Sequence, residues 1–270
     1  MRFVKRVSPL WMFLCGCSIA TGQTVLIRGD AAIVAFQTDE ADTVGLVSFV
    51  PIEAGTTISL WNYGYAGGGD GTGQGSGGGL WGTADFATDG FMTWTSSRAI
   101  DAGTVVVMTS DGADEGSLTG DMLVSGIGGL AAEGDSIFAA QGTLEPASTS
   151  FILIGELLYG LELAGNAGWG SIVAPGGSNL PSALDFAHSN FAPAHAINGE
   201  YVGPRTGLTV DVYKSAIQDE NNWIFNNYGS TFSDFDSTDF NIVPEPSALF
   251  LIITVSIGSI VAYRTLRRDL

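Results

Sequence analysis

The chain has 270 residues, 38 of them glycine, and carries 28 acidic side chains against ten basic ones, for a net charge of −18. Between Gln23 and Pro246 the only basic residues are Arg28, Arg98, Arg205 and Lys214. They face 27 acids, a formal charge of −23 that repels phosphate backbones and excludes a nucleic-acid partner. Aromatic and β-branched residues suffice for a core, so this span reads as folded, and its glycines predict tight turns rather than long helices. Cys15 and Cys17 are the only cysteines, which leaves the body without a disulfide or a thiolate metal site.

In chain order, Arg2, Lys5 and Arg6 form a basic start, an apolar stretch follows over 10–20, and Ala20-Thr21-Gly22 supplies small residues before Gln23. Residues 1–22 thus have the form of a secretory signal peptide, cleaved between Gly22 and Gln23. Within the same stretch, Leu14-Cys15-Gly16-Cys17 resembles a bacterial lipobox, in which Cys17 would be lipidated.

Residues 23–224 read as one domain of short strands separated by turn signals. Candidate strands are 31–37, 44–51, 56–62, 91–95, 104–109, 136–141, 150–153 and 168–172, several alternating with period two. Ile52-Glu53-Ala54-Gly55-Thr56 and Ile100-Asp101-Ala102-Gly103-Thr104 look like one turn used twice. Gly29-Asp30 and Gly134-Asp135 each open a strand. One helix is expected at 210–217, where Val210, Tyr213 and Ile217 share a face and Asn221-Asn222 would stop it; Trp223 should then pack back on the sheet. The pattern favours an all-β fold, a single antiparallel β-sandwich with Greek-key connections. Residues 225–242, polar and acidic with spaced aromatics, read as a partly disordered stalk.

The end of the chain has three parts. Val243-Pro244-Glu245-Pro246 cannot be helical throughout, because each proline lacks an N–H and pushes its predecessor toward extended geometry. Residues 247–263 carry no charge and span ~26 Å as a helix, close to a ~30 Å bilayer core. Arg264, Arg267 and Arg268 follow and should stay cytoplasmic. Together with the signal peptide, this predicts a single transmembrane helix with the body outside.

The order VPEP, short apolar span and arginine cluster over 243–270 resembles the PEP-CTERM sorting signal of Gram-negative bacteria. That resemblance implies recognition of Pro244, Glu245 and Pro246 by an exosortase-type processing enzyme. It also implies an inner-membrane intermediate and delivery to the cell surface or exopolysaccharide matrix. The body, through Gly29-Asp30-Ala31-Ala32-Ile33-Val34, the two Ala-Gly-Thr turns, Gly134-Asp135-Ser136-Ile137-Phe138-Ala139 and Asn222-Trp223, resembles an uncharacterised group of exported bacterial β-sandwich modules. The group supplies no activity to transfer.

Several stretches invite a chemical reading, each beside a plainer one. Residues 64–79 hold ten glycines in sixteen positions, but no lysine lies near to complete a phosphate loop, and a strand-connecting loop is the simpler account. His188 and His195 with Asp185 could hold zinc, yet their spacing suits surface loops. Asp234, Asp236 and Asp239, with Asp111, Asp114 and Glu115, are the calcium candidates, against a default of solvated carboxylates. Trp61, Tyr63, Tyr65 and Trp81 flank the glycine loop and could stack on sugar rings, or simply pack. There is no Gly-x-Ser-x-Gly elbow with a partner. The expectation is a non-enzymatic surface or matrix protein without a cofactor. A secreted carbohydrate-binding or carbohydrate-active protein and a calcium-dependent adhesin are the alternatives.

Overall fold

The computed structural model describes residues 22–38, 42–62, 64–65, 81, 91–109, 112–114, 119–125, 135–147, 150–163, 169, 178–184, 189–193, 198–226 and 235–245. Fourteen strands lie among them: β1 (Ala31–Gln37), β2 (Thr43–Ser48), β3 (Thr57–Trp61), β4 (Phe91–Thr95), β5 (Val105–Thr109), β6 (Gly112–Asp114) and β7 (Thr119–Ser125), followed by β8 (Ser136–Ala147), β9 (Ser150–Glu162), β10 (Asn190–Phe191), β11 (Asn198–Tyr201), β12 (Thr206–Leu208), β13 (Trp223–Asn226) and β14 (Asn241–Ile242). The one α-helix among the described residues is α1 (Val210–Ile217), on the expected residues; it ends at Ile217, before Asn221.

Twelve strands form one hydrogen-bonded order, β10-β9-β8-β3-β4-β7-β6-β5-β2-β1-β11-β13, antiparallel except for β9 with β10. β12 and β14 form a separate parallel pair. Although β1 and β9 lie near opposite ends of the order, they touch, and the Gly29 N–H donates to the Leu158 carbonyl at 3.1 Å. The Ala-Ala-Ile-Val-Ala-Phe-Gln run of β1 is buried at every position, as a strand covered on both faces must be. Two apolar clusters result. The larger holds Phe36, Trp94, Tyr201, Tyr213 and Trp223; the smaller is built on Trp61, Tyr65, Trp81, Phe138 and Leu157.

β1 and β4 fall on the expected residues, and β2, β3 and β5 shift only at their ends. The hairpin of β8 and β9 is much longer than expected, because Gly142 and Gly155 do not break it. They face each other across the ladder at φ 149° and 154°, and a Cβ on either would run into the opposite backbone. The glycines let the two strands come close. The segment 168–172 lies outside the described residues except for Trp169, which is in a turn.

The stalk expectation is corrected at the two ends of its range, 225–226 and 235–242; residues 227–234 lie outside the described residues. Trp223 does pack back, but as part of β13, which continues to Asn226 and pairs with β11. Residues 235–242 then dock on the body and include β14. Their alternation of small polar and acidic residues hides one deeply buried ring, Phe240.

The two echoed turns form a matched pair. Thr56 N–H donates to Glu53 O at 3.1 Å and Thr104 N–H to Asp101 O at 3.2 Å, with Gly55 and Gly103 at φ 85° and 93°, the third-position conformation that a type II turn requires. Ile52 and Ile100 exchange both backbone hydrogen bonds, 3.0 and 2.8 Å. The surroundings differ: a Cβ on Gly55 would meet nothing within 4 Å, whereas one on Gly103 would collide with the Phe240 carbonyl. Gly55→Ala should therefore cost only the left-handed penalty, about 1–2 kcal/mol. Gly103→Ala should cost clearly more and expose residues 235–243 to protease. Equal unfolding midpoints in denaturant for the two variants would contradict this packing.

Candidate functional site: the docked C-terminal segment and the exit of the chain

Val243, Pro244 and Glu245 leave the body directly from β14. Val243 is 41% exposed, and Pro244 and Glu245 are exposed as well. Pro246, the apolar run and the arginine tail lie outside the described residues. Among those described, no helix is long and apolar enough to cross a membrane.

What holds this exit in place starts with the backbone. Asn241 N–H donates to Arg205 O at 2.7 Å and Val243 N–H to Leu208 O at 2.9 Å, closing the β12–β14 pair. One residue earlier, the Phe240 N–H donates to the Gly103 carbonyl at 2.8 Å, and the Val105 N–H donates to an Asp239 carboxylate oxygen at 3.1 Å. The Tyr213 hydroxyl, carried by α1, donates to the Asn241 carbonyl at 2.8 Å. The Phe240 ring stacks on Tyr201 with centroids 5.7 Å apart and meets the edge of Tyr213 at 5.1 Å. Pro244, with Ala102, Asp239, Phe240, Asn241 and Ile242, lines a shallow open depression beside the exit.

Arg205 joins these parts. Its side chain is 8% exposed, with the guanidinium carbon 4.9 Å from the Phe240 ring centroid and 5.8 Å from that of Tyr201. The guanidinium donates to Thr238 O at 2.8 Å and to Tyr201 O at 3.1 Å, and its Nε lies 3.3 Å from Asp236 Oδ2. Burial pushes the Arg205 pKa down, opposed first by Asp236 and then by Glu200. Burial likewise pushes the Tyr201 phenol up to about 12, against the pull of Arg205. Partial burial works against ionisation of Asp236. The Thr238 hydroxyl and N–H, with Arg205, outweigh it and hold the carboxyl below its ordinary value. The Asp236 N–H donates in turn to a Glu200 carboxylate oxygen.

The candidate metal ligands are accounted for differently than a calcium loop requires. Asp236 and Asp239 are engaged in docking their own segment. Asp234, Asp111, Glu115, Asp185, His188 and His195 lie outside the described residues, and of Asp114 only the backbone, in β6, is described. Among the described residues, no group of three or more His, Cys, Asp or Glu is placed to hold a metal ion. Among the described residues, the aromatics of the expected platform do not form a surface. Trp61, Tyr65 and Trp81 are 1%, 2% and 0% exposed, with Trp81 set edge-on to Trp61 at 5.1 Å and to Phe138 at 4.6 Å. Tyr63 and most of the glycine loop lie outside the described residues.

Two groups escape a reading of the sequence. Arg205 is one; its signal is scarcity, since it is one of four basic residues in the body. The other is a buried polar cluster beside the smaller core. Asn62 Nδ2 donates to Asp135 Oδ2 at 2.9 Å and the Ser136 N–H to Asp135 Oδ1 at 2.8 Å. The Ser136 hydroxyl at 2.8 Å and the Ser178 N–H at 3.1 Å both donate to Glu162 Oε2. The Gly-Asp echo is its trace. Both aspartates precede a strand, and each carbonyl accepts the N–H that follows the partner strand, Phe49 for Asp30 and Leu163 for Asp135.

No family model matches the chain, and no curated protein or solved structure matches it either.

Two outcomes test the docking. Arg205→Ala should lower stability by about 2–3 kcal/mol, the scale of lost charge-assisted hydrogen bonds. It should also open 235–243 to limited proteolysis; an uncut segment would contradict the role given to the guanidinium. For Asp236, the folded pKa lies below the unfolded one, so the unfolded chain takes the proton more readily. The stability gap between wild type and Asp236→Asn should be complete above the ordinary value of 3.8 and vanish as pH falls below it. Parallel stability curves down to strongly acidic pH would contradict it.

Proposed function

We propose that this chain is an exported, non-enzymatic protein of the cell surface or extracellular matrix, sorted by a PEP-CTERM signal at 243–270. Its body is read as an antiparallel β-sandwich with Greek-key connections, consistent with the contact between β1 and β9. One observation carries the reading: Pro244 and Glu245 are exposed immediately after a docked strand, where a processing enzyme could read them without unfolding the body. The strongly acidic body suits a soluble life outside the cytoplasm. A sugar-stacking role draws no support from Trp61, Tyr65 and Trp81, which are covered. A calcium-adhesin role draws none from Asp236 and Asp239, which serve the docking. The partners on this reading are an exosortase-type enzyme, the membrane before processing, and exopolysaccharide.

The test is Glu245→Ala, and separately Pro244→Ala, expressed in the native host. Both variants should accumulate as unprocessed, membrane-associated protein while wild type reaches the surface. Identical processing and surface yield would sink the recognition role of the motif. Because both side chains are exposed, neither change should move stability by more than about 0.5 kcal/mol.

A further inference from the structure

Removal of residues 1–22 during export, the part of the proposed function on which this inference rests, would make Gln23 the first residue. The structure sets how much of the new terminus is free. Thr24 is the first anchored residue. Its N–H donates to Thr56 Oγ1 at 2.9 Å, its carbonyl accepts from Gln141 Nε2 at 2.6 Å, and its hydroxyl oxygen accepts the Glu53 N–H at 2.8 Å. Leu26 is buried, with its N–H on Gln141 Oε1 at 2.8 Å. Gly22 and Gln23 are exposed, and among the described residues the Gln23 side chain makes no hydrogen bond or ion pair. Cleavage would leave an overhang of one residue carrying both an α-amine and an unengaged side-chain amide.

We infer that Gln23 is a modification site and that the mature chain begins with pyroglutamate. An α-amine titrates at about 8, so a neutral, nucleophilic fraction is present at ordinary pH. Its nitrogen attacks Cδ of the same residue's amide. The N–Cδ bond closes a pyrrolidone ring, the Cδ–Nε2 bond breaks, and ammonia leaves with the proton given up by the amine. No co-reactant is consumed. The Thr24 N–H stays outside the ring, so its bond to Thr56 survives. Closure removes one positive charge and the free amine that an aminopeptidase needs, at the residue just ahead of Thr24, whose backbone is held.

The experiment uses the full chain isolated from its exporting host. Amines are labelled with an acetylating reagent before digestion, and the N-terminal peptide is weighed by mass spectrometry. The expected peptide begins at residue 23, carries no label and is lighter by one ammonia than its sequence. A peptide beginning at Gln23 with the label overturns the inference and leaves the export reading standing. A peptide beginning at Met1 or at a lipidated Cys17 overturns both. The Gln23→Ala protein should take up the label fully; a blocked terminus there would show a different modification and also overturn the inference.

Discussion

The guanidinium of Arg205 lies against the rings of Phe240 and Tyr201, with its N–H groups on two backbone carbonyls and Asp236, and the extent of the folded body follows from that arrangement. A buried cation needs acceptors on several sides, because the water it gives up has to be replaced. Here the acceptors come from two places far apart in sequence, Tyr201 on β11 and the 236–238 segment. Satisfying the guanidinium therefore also brings the segment onto the body. Arg28 shows the contrast. Its pair with Glu156, at 3.2 Å, is formed between side chains 42% and 37% exposed, where water screens the attraction and the contribution is about 0–1 kcal/mol.

A second constraint is close approach between backbones, and glycine is what permits it. At Gly103 the neighbour is the Phe240 carbonyl, which accepts no side chain in that space, and the turn's own amides are used as well: Gly103 N–H donates to Ser48 O at 2.6 Å while its carbonyl receives Phe240 N–H. At Gly142 and Gly155 the neighbours are each other's strands. The first glycine ties β14's approach to the turn before β5; the second pair keeps the β8–β9 hairpin continuous over its whole length. Both are positions where a side chain would separate elements that the hydrogen-bond pattern needs together.

These two constraints explain what could be read from the residues and what could not. Strands with their own apolar run, such as β1 and β4, are visible locally, as is α1 through the spacing of Val210, Tyr213 and Ile217. β10, β11, β12 and β14 are two to four residues long and rich in Asn, Gly and Thr, so they exist only through partners supplied by the fold. Glycines 142 and 155 look like strand breakers until each is seen opposite the other. The stalk reading fails for a related reason: 235–242 is polar on average, and average polarity cannot show that Phe240 fits between Tyr201 and Tyr213. For the candidate site, Pro244 and Glu245 are legible as a motif, while Arg205 and the Asp135–Glu162 cluster are not, since their meaning lies in burial.

On the proposed sorting route, the docking of β14 has a geometric consequence. From Ile242 to the start of the apolar run at Ser247 is five residues, which reach at most about 18 Å when extended. A disordered stalk over 225–242 would have given the body slack; docking removes most of it. The body would then stand close to the membrane during processing, with the exit and the shallow depression beside Pro244 at the near end. A cut anywhere after Glu245 would leave every described contact of Arg205, Phe240 and Asn241 intact. The folded body and the proposed sorting segment would thus be physically separable at the exit, only a few residues beyond β14.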